Sequence, residues 1–119
     1  DPQVPEEWDF IRTFSPYHRL RDVCLRPGSG WSCPQVLFTT STKDDRVHPG
    51  HARKMVRRLL DDGVPVGSAE KVLYWENIEG GHGGAADNKQ RAFMWALTYE
   101  FLWRSVGEGY RLPKAGSKL

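Results

Sequence analysis

The sequence predicts an α/β fold with two parallel strands and three flanking helices, arranged as one edge of a larger doubly wound sheet. Three observations carry this. Two apolar runs, 35–40 and 71–76, are bounded by turn residues and read as strands buried on both faces, as in a parallel sheet. Between them Ala52, Met55, Val56, Leu59 and Leu60 recur at the i, i+3, i+4, i+7, i+8 spacing of an amphipathic helix. Strand, helix and strand in that order make a right-handed crossover unit. A two-stranded parallel sheet rarely stands alone, so its strands expect neighbours outside these 119 residues.

Each element has its own local cause. Pro5, Glu6 and Glu7 open a first helix, with a proline in the first turn and acids at the positive end of the dipole. Val4, Trp8 and Ile11 fall on one face of it. Ser15-Pro16 ends it, because the residue before proline is pushed out of the α region. Residues 17–34, with Pro27, Gly28, Gly30 and Pro34, read as a loop. The second helix opens at Pro49 and closes at Asp62-Gly63. Gly80 to Gly84 form a flexible loop around His82. The third helix runs from about Asp87, which caps it, to about Ser105. A loose tail is expected over 107–119.

Composition narrows the class. Lys and Arg number 17 against 15 Asp and Glu, a net charge of +2 that argues against a nucleic-acid-binding protein. The densest basic run, Arg53-Lys54 with Arg57-Arg58, reads as a solvated helix face. Cys24 and Cys33 fit no metal-binding spacing and read as two thiols in a reducing compartment, although the sequence leaves a bond between them open. No long apolar span or signal-like segment appears, so the expectation is a cytoplasmic protein, with the periplasm as the alternative. The chain starts at Asp1 without an initiator Met, as a cut-out or processed segment would.

Asp44 and His82 are the candidate catalytic residues. In open α/β sheets functional residues sit in loops past the C-terminal ends of strands, and both fall there. A catalytic histidine reaches a nucleophile with one ring nitrogen while a carboxylate holds the other. Asp before His is the second half of a Ser…Asp…His order. The plainer assignments are an Asx-turn or helix-start residue for Asp44 and an ordinary loop residue for His82. Asp45 is the fallback acid, with helix capping as its plain role. His48, His51, Asp44 and Asp45 also suggest a metal site in a small non-catalytic binding module, but no second cluster completes a ligand set.

The motifs resemble one family. Thr42-Lys43-Asp44-Asp45-Arg46-Val47-His48-Pro49 looks like the DDRV-x-P loop of the prolyl oligopeptidase family of serine peptidases. Glu79-Gly80-Gly81-His82-Gly83 resembles that family's catalytic-histidine loop, and Phe14-Ser15-Pro16-Tyr17-His18 its YSP-x-H segment. The order is kept over 5–105. The resemblance implies the C-terminal part of an α/β-hydrolase catalytic domain, in a protein that also carries a β-propeller and cuts short peptides after proline. Asp44 is then the triad acid, His82 the general base, Arg46 a hydrogen-bond donor to a substrate carbonyl, and Val47 part of the proline pocket. For Arg46 a surface salt bridge to Asp44 or Asp45 is the competing role. No cofactor is implied. Acylaminoacyl peptidase, dipeptidyl peptidase or esterase relatives share the triad.

The departure from the family is the nucleophile. No G-x-S-x-G occurs. Gly28-Ser29-Gly30-Trp31-Ser32 follows a loop and leads into a strand, whereas a nucleophile elbow needs strand, turn and helix. The family places the serine, the oxyanion donors and the aromatic side of the proline pocket upstream. The 119 residues alone are therefore expected to be inactive, and to self-associate where missing strands dock.

Overall fold

The computed structural model describes residues 1–63 and 71–106. Among these the order is α1 (Pro5–Arg12), α2 (Pro16–Arg19), β1 (Val36–Ser41), α3 (Gly50–Arg58), β2 (Val72–Asn77) and α4 (Asn88–Val106). β1 and β2 pair in one two-stranded parallel sheet. The three expected helices are present, with the short α2 as a fourth, and both strands lie one residue later than the sequence suggested. The chain divides into two compact units, Asp1–Phe38 with Gly50–Tyr74 and Thr39–Pro49 with Trp75–Leu119, and each strand runs through both. The expected loose tail, 107–119, lies outside the described residues.

In the first unit, α1 has its proline in the first turn and Glu6 and Glu7 beside it, as expected. Its Trp8 meets the His18 ring edge-on, with centroids 4.9 Å apart. The expectation of a loop over 17–34 is corrected here. Pro16 does not only end the preceding helix; it occupies the first turn of α2, where a missing N–H costs nothing. The wide π-helical turn Leu20–Cys24 continues it. The Ser15 hydroxyl shares a hydrogen bond with His18 Nδ1 at 2.8 Å and fixes this corner.

Leu20, Cys33, Val56, Leu59 and Val72 form the core of this unit. α3 starts at Gly50, directly after Pro49, and ends in a second π-helical turn, Leu59–Gly63. That wider turn carries Leu60 off the apolar stripe, leaving it 40 % exposed. The basic face of α3 is not merely solvated. Arg57 pairs with Asp61 at 2.8 Å and Arg58 with Asp62 at 2.7 Å, and the Arg58 guanidinium lies over the Tyr17 ring. Cys24 and Cys33 are free thiols, and burial pushes the Cys33 thiol up.

The strands correct a second expectation. They are not buried on both faces: Leu73 is 43 % and Tyr74 37 % exposed, and no residue of β1 except Ser41 is fully buried. The reason is neighbours. Among the described residues each strand has a single partner, and a two-stranded sheet with these helices cannot cover both of its faces. Among the described residues no helix is long and apolar enough to cross a membrane.

In the second unit, the strand ends are tied together. The Thr42 N–H donates to the Asn77 carbonyl at 2.8 Å, and the Thr42 hydroxyl donates to the Glu76 carboxylate at 2.5 Å. α4 begins one residue after Asp87, whose carboxylate accepts the Gln90 N–H at 2.8 Å as an N-cap. Phe93 packs on Trp75, but α4 buries no residue fully, and Phe93, Trp95, Tyr99 and Leu102 all stay exposed.

Candidate active site

Both candidate residues sit on loops that leave the tied strand ends. After β1 the chain turns at Lys43, and the Asp44 N–H donates back to the Ser41 carbonyl at 3.2 Å. The Asp44 carboxylate folds over the following residues. Its Oδ1 accepts the Arg46 N–H at 3.0 Å and the Val47 N–H at 2.8 Å, an Asx-turn that fixes the side chain through its own backbone.

After β2 the buried Asn77 carboxamide organises the glycine loop. Its Oδ1 accepts the N–H groups of Glu79 at 3.0 Å and Gly80 at 3.2 Å. Its Nδ2 donates to the Gly84 carbonyl and, at 3.0 Å, to Gln90 Oε1 on α4. Within the loop the Gly84 N–H donates to the Gly81 carbonyl at 2.9 Å, which places His82 at the outer bend. Gly84 takes a positive φ of 82°, which suits a residue with no Cβ. A Cβ there would also strike the end of the Met94 side chain.

The two loops bring His82 and Asp44 together. His82 Nδ1 stands 3.0 Å from both Asp44 oxygens. The Asp44 side chain is 11 % exposed and the His82 side chain 41 %. The Val47 amide, then the Arg46 amide and the His82 ring, hold the Asp44 carboxyl below its ordinary value, while partial burial opposes them. An ionised carboxylate only accepts, so His82 Nδ1 carries the hydrogen. In the neutral ring Nε2 is then the acceptor, and it makes no hydrogen bond among the described residues. The arrangement is an imidazole held in one tautomer by a carboxylate, with its basic nitrogen free to take a proton. An open cavity of about 220 Å³ lies beside it, lined by Thr39, Thr40, Ser41 and Met94 among others.

The sign of the Asp44 shift sets a pH dependence. A depressed carboxyl stabilises the turn while it is ionised. That stabilisation is complete above the ordinary value of 3.8 and is lost as pH falls below it through the lower folded value. Carboxyl carbon resonances titrated in the 119-residue chain should give Asp44 a midpoint below 3.8, with the Arg46 and Val47 amide shifts following the same curve. A midpoint at or above 3.8 would contradict the geometry.

Of the residues singled out from the sequence, Asp44 and His82 meet directly. The plain role suggested for Asp44 proves true at the same time, since one oxygen serves both the Asx-turn and the histidine. Asp45 is exposed and takes no part in the contact. Arg46 makes no ion pair with Asp44 or Asp45 among the described residues; its link to Asp44 runs through its backbone. Val47 is 50 % exposed. No three His, Cys, Asp or Glu side chains, those of His48 and His51 included, converge into a metal-binding group among the described residues. Asn77 and Gln90 were not singled out. The one available signal was an asparagine at a strand end three residues before a glycine, which reads as a turn and no more.

Comparison with known proteins agrees with the motifs. The model of the prolyl oligopeptidase family matches residues 1–109. An uncharacterized peptidase, y4nA, of Sinorhizobium fredii is 41 % identical over 105 residues, covering 88 % of this chain and 13 % of that protein. The prolyl oligopeptidase ophP of Omphalotus olearius is 33 % identical over 107 residues, covering 90 % of this chain and 13 % of its own length. The prolyl oligopeptidase dbiP of Dendrothele bispora is 31 % identical over 115 residues, 95 % of this chain and 14 % of that protein. No solved structure matches. The chain thus spans only about an eighth of the length of these relatives, yet over that stretch both the family model and the sequence identities agree: it belongs to the prolyl oligopeptidase family.

Proposed function

We propose that this chain supplies the acid and the general base of a serine peptidase that hydrolyses short peptides after proline. Asp44 is the acid and His82 the base. The nucleophilic serine comes from a part of the full-length protein outside these 119 residues, in which no G-x-S-x-G occurs. The observation that carries the reading is the 3.0 Å contact between His82 Nδ1 and the Asp44 carboxylate, with Nε2 left free.

In this reading Nε2 removes the proton of the serine hydroxyl as it attacks the scissile carbonyl, then gives it to the departing amine. Asp44 stabilises the imidazolium formed between the two steps. The Arg46 guanidinium donates to a substrate carbonyl next to the proline, and Val47 forms one wall of the proline pocket. Their support is positional: both side chains are exposed on a loop whose backbone Asp44 pins from within. The 119 residues alone have no peptidase activity on this account. The apolar residues that α4 leaves exposed offer surface to the remainder of the domain, or to a second copy of the chain.

The test uses the full-length protein. A fluorophosphonate should label one serine, and pretreatment should abolish turnover. Short chromogenic peptides with proline before the cleaved bond should be hydrolysed at least about tenfold faster, in kcat/KM, than alanine counterparts, a difference of about 1.4 kcal/mol in transition-state binding. Equal rates on both, or faster release from acylated or ester substrates, would redirect the specificity to another branch of the family. No labelling and no turnover would end the serine-peptidase reading.

A further inference from the structure

We infer that Asn77 is a positioning residue for His82. This rests on the reading of His82 as the general base. The loop that carries the histidine is Gly80-Gly81-His82-Gly83-Gly84, four glycines around one functional side chain. Such a segment has little conformational preference of its own, so something else must hold it. The Asn77 side chain bonds both of its ends. Oδ1 accepts the Gly80 N–H before the histidine, and Nδ2 donates to the Gly84 carbonyl after it.

The clamp is itself fixed. Asn77 is 4 % exposed, and its backbone carbonyl accepts the Thr42 N–H from the segment that leads to Asp44. Its Nδ2 is also bonded to Gln90, whose Oε1 accepts the Ala86 N–H and whose Nε2 donates to the Glu79 carboxylate. One buried residue therefore touches the loop of the base through its side chain and the loop of the acid through its main chain. Asn77 meets no substrate. It sets where the imidazole starts from when it turns toward Asp44.

The carboxamide suits this task. It is the short side chain that offers an acceptor and a donor on one rigid plane. Ala removes both. Asp keeps the acceptor for Glu79 and Gly80 but presents an oxygen to the Gly84 carbonyl, so the far end of the loop is released.

The experiment compares Asn77→Ala, Asn77→Asp and His82→Ala in the full-length protein, reading kcat, KM and thermal unfolding on a short proline-containing chromogenic peptide. His82→Ala tests the underlying reading: if it retains activity, that reading fails whatever Asn77 does. With His82→Ala inactive, Asn77→Asp is expected to lower kcat roughly tenfold and Asn77→Ala roughly a hundredfold, with KM within about threefold. Wild-type kcat in both Asn77 variants overturns the inference. So does a loss of kcat that only parallels a fall in unfolding temperature. If Asn77→Ala does not fold, Asn77→Asp decides alone, because it keeps the two bonds that cap the end of β2.

Discussion

Asp44→Asn in the full-length protein is expected to lower kcat by about 10⁴-fold while leaving the fold intact, the loss that a wrong histidine tautomer causes in a Ser-His-Asp triad. Asparagine can still accept the Arg46 and Val47 amides through its oxygen, so the turn survives. Both wild-type oxygens stand 3.0 Å from His82 Nδ1, and the amide nitrogen takes the place of Oδ2. A donor there competes with Oδ1 for the ring nitrogen, and where it wins, Nδ1 has to accept and the proton moves to Nε2, the atom that has to be empty. KM should change little, because no substrate contact is removed. Steady-state kinetics with a thermal melt on the same sample checks this. A variant that melts normally and keeps more than a tenth of wild-type kcat would remove Asp44 from the proposed role.

Gly80→Ala is expected to cost about a hundredfold or more in kcat/KM, the scale of a misplacement near 1 Å in a catalytic group. A Cβ on Gly80 would run into the Gly84 carbonyl and come within 2.7 Å of Asn77 Nδ2. The carbonyl is backbone and cannot swing away, so the loop has to open and carry His82 off Asp44. Gly81→Ala is the matched comparison, since its Cβ would meet nothing closer than the Lys43 carbonyl at 3.5 Å. The Gly81 change should cost at least ten times less. The core of Leu20, Val56, Leu59 and Val72 contains neither glycine, so global stability should report any trivial unfolding separately. Equal kinetics for the two variants would mean that the closure at Gly80 does not place the histidine.

What could be read from the chain follows from how local each cause is. The β1–α3–β2 crossover was legible because proline, glycine and apolar spacing mark it within a few residues. Asp44 and His82 were legible as a pair because strand ends are visible in sequence and the topology brings adjacent strand ends together. α2 was missed because Pro16 has two meanings, a stop for the helix before it and a first turn for the one after. Asn77 was missed because its partners, Gly84 and Gln90, lie 7 and 13 residues away. Nothing in the residues around it announces that its amide bridges a loop. Strand burial was overestimated because apolar content records what a strand needs, whereas exposure depends on neighbours that the described residues do not include.

The equal distances from His82 Nδ1 to the two Asp44 oxygens have a mechanical meaning. A hydrogen shared by a forked acceptor has two rest points instead of one. The imidazole can rock between them through a small angle without ever letting go of its anion. Both lengths are ordinary for a hydrogen bond of this kind, so neither oxygen is favoured by distance. A base that serves two partners in turn, first an attacking oxygen and then a leaving nitrogen set apart from it, needs that kind of bearing. In the proposed reaction the carboxylate would then serve as a pivot as well as a charge, and a side chain with a single oxygen would offer the ring one rest point only.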